Sequence, residues 1–358
     1  MPAEMSSPRK YSIAVIPGDG IGVEVVGPAV RVIDAIAADE NFSITWQEYP
    51  WGSDYYRRHG AMMPADGIDI LSRYDAIFFG AVGAPDIPDD VTLWGLLIPI
   101  RRNFDQYVNL RPVRSIPGVP GLLRSSAPID LVIVRENTEG EYSEIGGRFG
   151  RGTPGEFALQ EAVFTRHGIE RVAHYAANLA TTRRGLVTSA TKSNGILHSM
   201  PFWDEVVAQV LAQHPNVTLT SVLVDALAAA LVSHPHKFDV IVASNLFGDI
   251  LSDVAAACVG SIGLAASANL NPERKFPSMF EPVHGSAPDI AGKGIANPSA
   301  QMYTGALMLE FLGEHEAARR LTQALDEVLR VGPLPMDLGG TASTQQIETA
   351  VLEIVGSP

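Results

Sequence analysis

The sequence predicts an α/β fold with a largely parallel sheet, arranged as two domains or one large α/β unit. Short β-branched runs alternate along the chain with longer segments of helical periodicity, as expected when crossover helices join parallel strands. The 358 residues exceed the usual size of one domain. Hydrophobic residues make up 46% of the chain and charged residues 18%, so a sizeable core can form.

The predicted elements follow this alternation. The first strand, Tyr11–Ile16, leads through Pro-Gly-Asp-Gly-Ile-Gly into a helix over Val23–Ala38, and the last helix covers Ser343–Val355. Further strands are predicted at Asp75–Phe79, Leu131–Val134, Leu186–Ser189, Thr218–Val222 and Val240–Ala243. Residues 140–166, rich in Gly, Arg and Thr, predict either an extended hairpin or arm exchanged with a partner chain, or a surface loop.

The composition restricts compartment and partners. A net charge of −14 argues against binding to nucleic acid or an anionic membrane. No apolar run approaches the roughly 18–20 residues that span a bilayer, and residues 1–10 lack the apolar centre of a signal peptide. The single cysteine, Cys258, cannot form an internal disulfide and is expected to be a buried thiol. We therefore expect a cytoplasmic protein.

Two carboxylates in an otherwise apolar helix indicate a metal site. Asp249 and Asp253 lie one turn apart in Asn-Leu-Phe-Gly-Asp-Ile-Leu-Ser-Asp-Val-Ala-Ala-Ala-Cys. Buried carboxylates are costly and like charges at this spacing repel, whereas a hard divalent cation between them reverses the cost. The alternative is a solvated stripe on an amphipathic helix.

Other polar residues occupy equivalent places, just after predicted strands. They are Arg135, Lys192 and Asp225. Because ligands of such folds gather at the carboxyl ends of strands, one shared site is favoured over unrelated ones. A lysine can act as a general base because its pKa can be lowered, but Lys192 is equally compatible with a surface position. Asp225 suits either a metal ligand or a helix N-cap.

Arginines and a tyrosine complete the candidate substrate site. Arg101, Arg111 and Arg135 could clamp a polycarboxylate through their planar guanidinium groups, although an isolated arginine usually forms a surface ion pair. The phenol of Tyr142 could donate a proton to a substrate, or could simply pack.

The sequence lacks the common nucleotide-binding fingerprints. Pro-Gly-Asp-Gly-Ile-Gly at residues 17–22 fails the G-x-G-x-x-G spacing, and no G-x-x-x-x-G-K-[ST] occurs. The segment His-Gly-Ser-Ala-Pro-Asp-Ile-Ala-Gly-Lys-Gly-Ile-Ala-Asn-Pro at residues 284–298 has small residues for close approach to a dinucleotide. There, Asp289 could bind a ribose diol, which favours NAD over NADP.

Together these motifs resemble the metal- and NAD-dependent β-decarboxylating dehydrogenases, which include the isopropylmalate, isocitrate, homoisocitrate and tartrate/D-malate dehydrogenases. The resemblance rests on PGDGIG, RRNFDQYVNLRPVR, VRENTEGEYSEIGG, SATKSNGILHSMPFWDEV, ASNLFGDILSDVAAA and EPVHGSAPDIAGKGIANP. It implies a two-domain, non-Rossmann, isopropylmalate-dehydrogenase-like fold with the active-site cleft between domains. Residues 1–106 and 260–358 would form a discontinuous cofactor-binding domain. Residues 107–259 would form the metal and dimer domain, with a dimer-forming arm at about 140–166.

The resemblance also implies roles for individual residues. Arg101, Arg111 and Arg135 would hold the substrate, and Asp249 and Asp253 would bind Mg²⁺ or Mn²⁺ with Asp225. Lys192 and Asp225 would come from the second subunit of a homodimer. The dinucleotide site would comprise Glu281, His284, Gly285, Ser286, Ala287, Asp289, Ile290 and Asn297.

The implied reaction is an oxidation followed by decarboxylation. Lys192, or a proton relay through it, would take the hydroxyl proton as hydride passes to NAD. The metal would act as a Lewis acid while CO₂ leaves, and Tyr142 would protonate the enol. The sequence does not decide between Mg²⁺ and Mn²⁺. It also leaves open whether a monovalent cation such as K⁺ assists the reaction and whether dimers pair into tetramers.

The substrate prediction depends on Trp94. In the resembling isopropylmalate enzymes an acidic residue usually stands seven positions before the first arginine, where this chain has Trp94. An indole at this position would shorten the substrate pocket, which favours the tartrate/D-malate branch. If Trp94 instead points away and packs in the core, 3-isopropylmalate remains a possible substrate. A non-catalytic regulatory subunit is the other alternative, and the presence of Lys192, Asp225, Asp249, Asp253 and Tyr142 argues against it.

Overall fold

A computed structural model describes residues 8–119, 121–123 and 127–356. Residues 1–7 of the predicted polar terminus lie outside the described residues. The strands are β1 (Arg9–Gly18), β2 (Phe42–Glu48), β3 (Ala76–Ala81), β4 (Val108–Arg114), β5 (Asp130–Glu136), β6 (Gly146–Phe149), β7 (Phe157–Gln160), β8 (Leu186–Thr191), β9 (Thr218–Leu223), β10 (Val240–Ala243), β11 (Ala266–Leu270) and β12 (Ser278–Pro282).

Helices connect most of these strands. They are α1 (Gly22–Asp39), α2 (Ser53–His59), α3 (Gly67–Leu71), α4 (Asp89–Thr92), α5 (Ile98–Asn103), α6 (Arg166–Thr181), α7 (Ser199–Leu211), α8 (Val224–Ser233), α9 (Asn245–Cys258), α10 (Ser299–Leu312), α11 (His315–Val331) and α12 (Thr344–Val355). A single turn of π-helix, Leu93–Leu97, joins α4 to α5.

The chain forms two compact units, as far as their residues are described. Unit 1 consists of Met1–Phe104, Ile116–Pro120 and Gly260–Pro358, and unit 2 of Asp105–Ser115 and Gly121–Val259. The strands of unit 1 are ordered β2-β1-β3-β12-β11, parallel except for β11 against β12. At the β1–α1 turn, Gly18 has a φ of 73°, and a Cβ there would lie 1.9 Å from the carbonyl oxygen of Ala81. Only glycine permits this close approach of β1 to β3.

Unit 2 has its own strand order and a projecting hairpin. Its strands follow the order β4-β5-β10-β8-β9, with β4 antiparallel to β5 and the others parallel. Strands β6 and β7 pair as a separate antiparallel hairpin with all its strand residues exposed, including stacked Phe149 and Phe157. The predicted hairpin is therefore present, and its exchange with a partner chain stays a prediction.

The α/β class and every strand and helix predicted from the sequence are confirmed. Ser343 caps α12 in a reciprocal capping box with Gln346, which explains why this helix begins where predicted. Cys258 is buried, as expected. Strands β2, β11 and β12 were not predicted, whereas β4 matches the β-like residue pattern of Tyr107–Val113. No helix among the described residues combines the length and the hydropathy needed to cross a membrane.

Candidate active site

The carboxyl edge of the unit 2 sheet carries the predicted polar residues. Arg135 lies near the end of β5, Lys192 follows β8, Asp225 is the second residue of α8 after β9, and α9 with its acid pair follows β10. Strands β5, β10, β8 and β9 are parallel neighbours, so their carboxyl ends all meet at one edge.

Two features seat α9 against β5. A Cβ on Gly248 would lie 2.6 Å from Cβ of Arg135, so a larger residue would push the helix away. The N-terminus of α9 is capped by Glu141, whose carboxylate accepts hydrogen bonds from Ser244 Oγ at 2.9 Å and Leu246 N–H at 3.1 Å. This negative charge is also favourable next to the positive end of the helix dipole.

Asp249 is the centre of a charged cluster. Its Oδ1 lies 2.5 Å from Nη1 of Arg135 and 3.0 Å from Nη1 of Arg111, and its Oδ2 accepts a hydrogen bond from the Tyr142 hydroxyl at 3.1 Å. The two arginine side chains are only 3% and 8% exposed. The structure therefore brings together two of the three predicted substrate arginines, the predicted proton donor and a predicted metal ligand.

Asp253 is the more accessible of the two acids. Its side chain is 57% exposed, against 32% for Asp249, and it lies 3.8 Å from Nη1 of Arg111. Burial raises the pKa of Asp253, with a further contribution from the charge of Asp249, while Arg111 acts in the opposite direction. Hard carboxylate oxygens on one helix face fit Mg²⁺ or Mn²⁺. In the described part of the chain no three acidic, histidine or cysteine side chains converge on one point.

Lys192 and Asp225 form a pair of their own. Lys192 Nζ donates to Asp225 Oδ1 at 2.6 Å, and this hydrogen bond lowers the pKa of the Asp225 carboxyl. Both side chains are open to solvent, at 31% and 66% exposure. Asp225 is not the N-cap of α8, since that position belongs to Leu223.

Arg101 lies in unit 1, on α5. Its Nη2 donates to Glu281 Oε1 at 2.6 Å, while its buried Nε has no hydrogen-bond partner. The same Glu281 oxygen accepts from Asn269 Nδ2 at 2.8 Å. Glu281, predicted as a cofactor residue, thus holds the guanidinium of Arg101 in this structure.

Trp94 lies in the π-helical turn. Its ring is 4.9 Å from the guanidinium carbon of Arg102. It also lines a surface cavity of about 440 Å³ together with Tyr56, Met62 and other residues of unit 1.

The predicted dinucleotide loop is ordered and contains an unpaired acceptor. Burial lowers the pKa of His284, which is therefore neutral near pH 7, and its Nδ1 lies 3.0 Å from the carbonyl oxygen of Gly285. With the proton on Nδ1, the buried Nε2 is an acceptor without a partner. Ser286 accepts a hydrogen bond from Ile21 N–H, and Asn297 donates to Asp337 at 3.0 Å. Asp289 is exposed. A buried acceptor without a partner and an exposed carboxylate in the same loop fit a ligand with ribose hydroxyls.

Sequence reasoning missed the residues that orient these groups. Asn245 Oδ1 accepts hydrogen bonds from Nε and Nη2 of Arg135, at 3.1 and 2.6 Å. Asn109 and Ser252 accept from Arg111, both at 2.6 Å. The only sequence signal was the position of Asn245 and Ser252 beside the acid pair, within the same motif.

Comparison with known proteins shows the family of this chain. The family model described as isocitrate/isopropylmalate dehydrogenase matches residues 12–351. The chain is 53% identical to the probable tartrate dehydrogenase/decarboxylase TtuC of Agrobacterium vitis, covering 97% of this chain and 96% of that protein. It is also 53% identical to the D-malate dehydrogenase [decarboxylating] of Escherichia coli (strain K12), covering 97% and 99%.

Solved structures agree with the sequence relatives. The crystal structure of isocitrate dehydrogenase from Methylococcus capsulatus superposes with a TM-score of 0.88 at 35% identity, covering 97% of this chain and all of that one. The chain therefore belongs to the isocitrate/isopropylmalate dehydrogenase family.

Proposed function

We propose that the protein oxidises D-malate and tartrate with NAD and Mg²⁺ or Mn²⁺. D-malate would lose a hydride from C2 to NAD⁺ and a proton from its hydroxyl, and the resulting β-keto acid would lose its C4 carboxyl group as CO₂ and give pyruvate. The relatives named for tartrate and D-malate support this substrate class, and members of the family in general depend on a metal and use NAD.

The observation that carries the proposal is the convergence of Arg111, Arg135 and Tyr142 on Asp249. Two nearly buried guanidinium groups need anionic partners, and a hydroxy dicarboxylate can supply the remaining ones. Asp249 and Asp253 would hold the cation, and such a substrate would offer it further oxygen atoms, the ligands that hard divalent cations prefer. When bound, the divalent cation would supply Lewis-acid chemistry at the alcohol and keto stages.

The chain's own residues then have separate tasks. Arg111 and Arg135 orient the carboxylates, and Arg101 is proposed as a third arginine, released from Glu281 when substrate binds. Lys192 takes the hydroxyl proton, and Tyr142 delivers a proton to the enol carbon after CO₂ has left. In the dinucleotide loop, the acceptor His284 Nε2 and the exposed Asp289 are proposed to hold NAD.

A homodimer with shared active sites is part of the proposal. Lys192 and Asp225 pair with each other, with solvent-exposed side chains. Helix α8, which carries Asp225, is strongly apolar, yet it buries only Leu227 and Leu231 and leaves Val232 50% exposed. An apolar helix with so little covered surface suits contact with a second copy. We infer that Lys192 and Asp225 serve the partner's metal.

The position of Trp94 favours one alternative substrate. Its ring lies 4.9 Å from the guanidinium carbon of Arg102 and lines a cavity with Tyr56 and Met62, contacts that fit a Trp94 that packs within unit 1 and leaves room for 3-isopropylmalate. A 3-isopropylmalate dehydrogenase is therefore the second candidate.

Steady-state kinetics would decide between these substrates. We expect NADH formation with D-malate and with at least one tartrate isomer, in the presence of Mn²⁺ and abolished by a chelator. The comparison includes 3-isopropylmalate and isocitrate, and the variant Trp94→Ala. If Trp94 limits the pocket, this variant gains kcat/KM for 3-isopropylmalate relative to D-malate. A wild-type kcat/KM for 3-isopropylmalate well above that for D-malate would refute the proposed substrate.

A further inference from the structure

The proposed dinucleotide loop contains a stretch that packing does not hold. Gly292 and Gly294 have φ of 77° and 66°, and no atom lies within 4 Å of the place where a Cβ would stand. Both residues are exposed, as is Lys293 between them. Glycine has the largest backbone freedom, so in this stretch the loop depends on hydrogen bonds for its shape.

Glu24 supplies two of these hydrogen bonds from a different element. It lies in the first turn of α1 and is half-buried. Its Oε1 accepts from the N–H of Gly292, and its Oε2 accepts from the N–H of Gly294 at 3.0 Å. Bonds from backbone N–H groups to a carboxylate are charge-assisted and stronger than neutral ones. One side chain therefore holds both glycines.

Neutral contacts hold the rest of the loop. The N–H of Ile21 donates to the carbonyl of Ser286 at 2.8 Å. Thr344 donates through its N–H to Gly294 at 2.9 Å and through its Oγ1 to Ala296 at 2.6 Å. Ile21 and Val25 also belong to an apolar cluster that includes Ile290. The loop is thus anchored at one end by Ile21, next to α1, and at the other end by Thr344 of α12, and Glu24 holds the Gly-Lys-Gly stretch between them.

We propose that Glu24 is a positioning residue for the dinucleotide. By fixing the backbone at Gly292 and Gly294, it keeps the loop in the binding conformation before the ligand arrives. Ordering a flexible segment costs free energy that binding would otherwise have to supply, so the pre-ordered loop binds more tightly. The inference rests on the proposed function, because it takes this loop as the dinucleotide site.

The test compares Glu24→Ala and Glu24→Gln with a matched control, Glu316→Ala. Glu316 also lies in the first turn of a helix of unit 1, but it pairs with Arg319 and makes no contact with the loop. The first measurement is NADH affinity, by fluorescence titration of the full chain. We expect Glu24→Ala to weaken it about tenfold, as loss of two charge-assisted bonds from a ligand loop implies. Gln keeps one acceptor oxygen, so Glu24→Gln should fall between Ala and the wild type.

Kinetics and hydrogen exchange separate positioning from general damage. In Glu24→Ala the KM for NAD should rise about as much as the Kd, while kcat and the KM for D-malate at saturating NAD stay near wild type. Amide exchange of residues 285–297 in the cofactor-free protein should accelerate in Glu24→Ala and stay unchanged in Glu316→Ala.

Two results would overturn the inference. One is an NADH affinity for Glu24→Ala equal to that of the control. The other is an equal loss in kcat and both KM values, together with faster exchange throughout unit 1, which would make Glu24 a general structural residue. A wild-type protein that binds no NADH would instead refute the proposed function, and the exchange experiment would still show whether Glu24 orders the loop.

Discussion

Asp249 and Asp253 are proposed to share one metal, yet the structure predicts very different effects on stability when each is replaced by asparagine. Asp249 lies 2.5 Å from Arg135 and 3.0 Å from Arg111, both nearly buried. Asp253 lies 3.8 Å from Arg111 and is 57% exposed. Asparagine keeps the shape of the side chain and removes its charge, so the two variants isolate the electrostatic contribution of each acid.

The expected magnitudes follow from these surroundings. Removing one partner of a buried ion pair costs about 3–5 kcal/mol because the other charge stays buried. In the variant, Arg135 still donates a hydrogen bond to Asn245 and Arg111 still donates one to Ser252. Because the Asp249 side chain is also 32% exposed, we expect a cost at the lower end of this range. For Asp249→Asn we therefore expect a loss of about 3 kcal/mol in the free energy of unfolding without metal. For Asp253→Asn we expect a loss of less than about 1 kcal/mol.

Mn²⁺ should affect the two variants alike. At a metal concentration of about 100 times Kd the wild type gains about 2.7 kcal/mol, and each variant should lose most of this gain along with turnover.

Urea denaturation of wild type and variants, with chelator and with Mn²⁺, measures both effects. Free energies of unfolding are compared only among proteins for which this free energy falls with urea concentration at the same slope. Equal destabilisation of the two variants in chelator would refute the argument that Asp249 neutralises buried arginines. An undiminished Mn²⁺ stabilisation in both variants would refute the metal assignment.

Two further predictions concern single side chains. Lys192→Arg should keep the ion pair with Asp225 but lower kcat by about a hundredfold or more, because a guanidinium cannot give up its proton. The exposed Lys237→Arg serves as its control, and an equal kcat in the two variants would contradict a proton-transfer role for Lys192. Burial raises the pKa of the Cys258 thiol, and since the thiolate is the reactive form, labelling of the native protein by a disulfide reagent near pH 8 should be slow and should accelerate on unfolding. Rapid stoichiometric labelling of native protein would show that Cys258 is accessible.

The strands differ in how far the sequence could predict them. Val240–Ala243 is an apolar run and Leu186–Thr191 a mixed one, but both are rich in β-branched residues and precede polar loops, a pattern that predicts parallel strands. Ala266–Leu270 and Ser278–Pro282 have no β-branched residue, and Asn269 is fully buried between them. Their strand conformation comes from pairing with each other and with β3, a tertiary effect that overrides weak local propensity.

The sequence by itself determined the α/β class, the family and the residue types of the site, because periodicity and motif spacing are local properties of the chain. Only the tertiary structure showed that Asp249 lies against Arg111 and Arg135 while Lys192 pairs with Asp225, since these contacts join residues far apart in sequence. It also placed Trp94 in a π-turn next to Arg102, a local geometry that has no signature in the residue pattern. Residue identity specifies which chemical groups are present, and packing of the backbone specifies which of them meet.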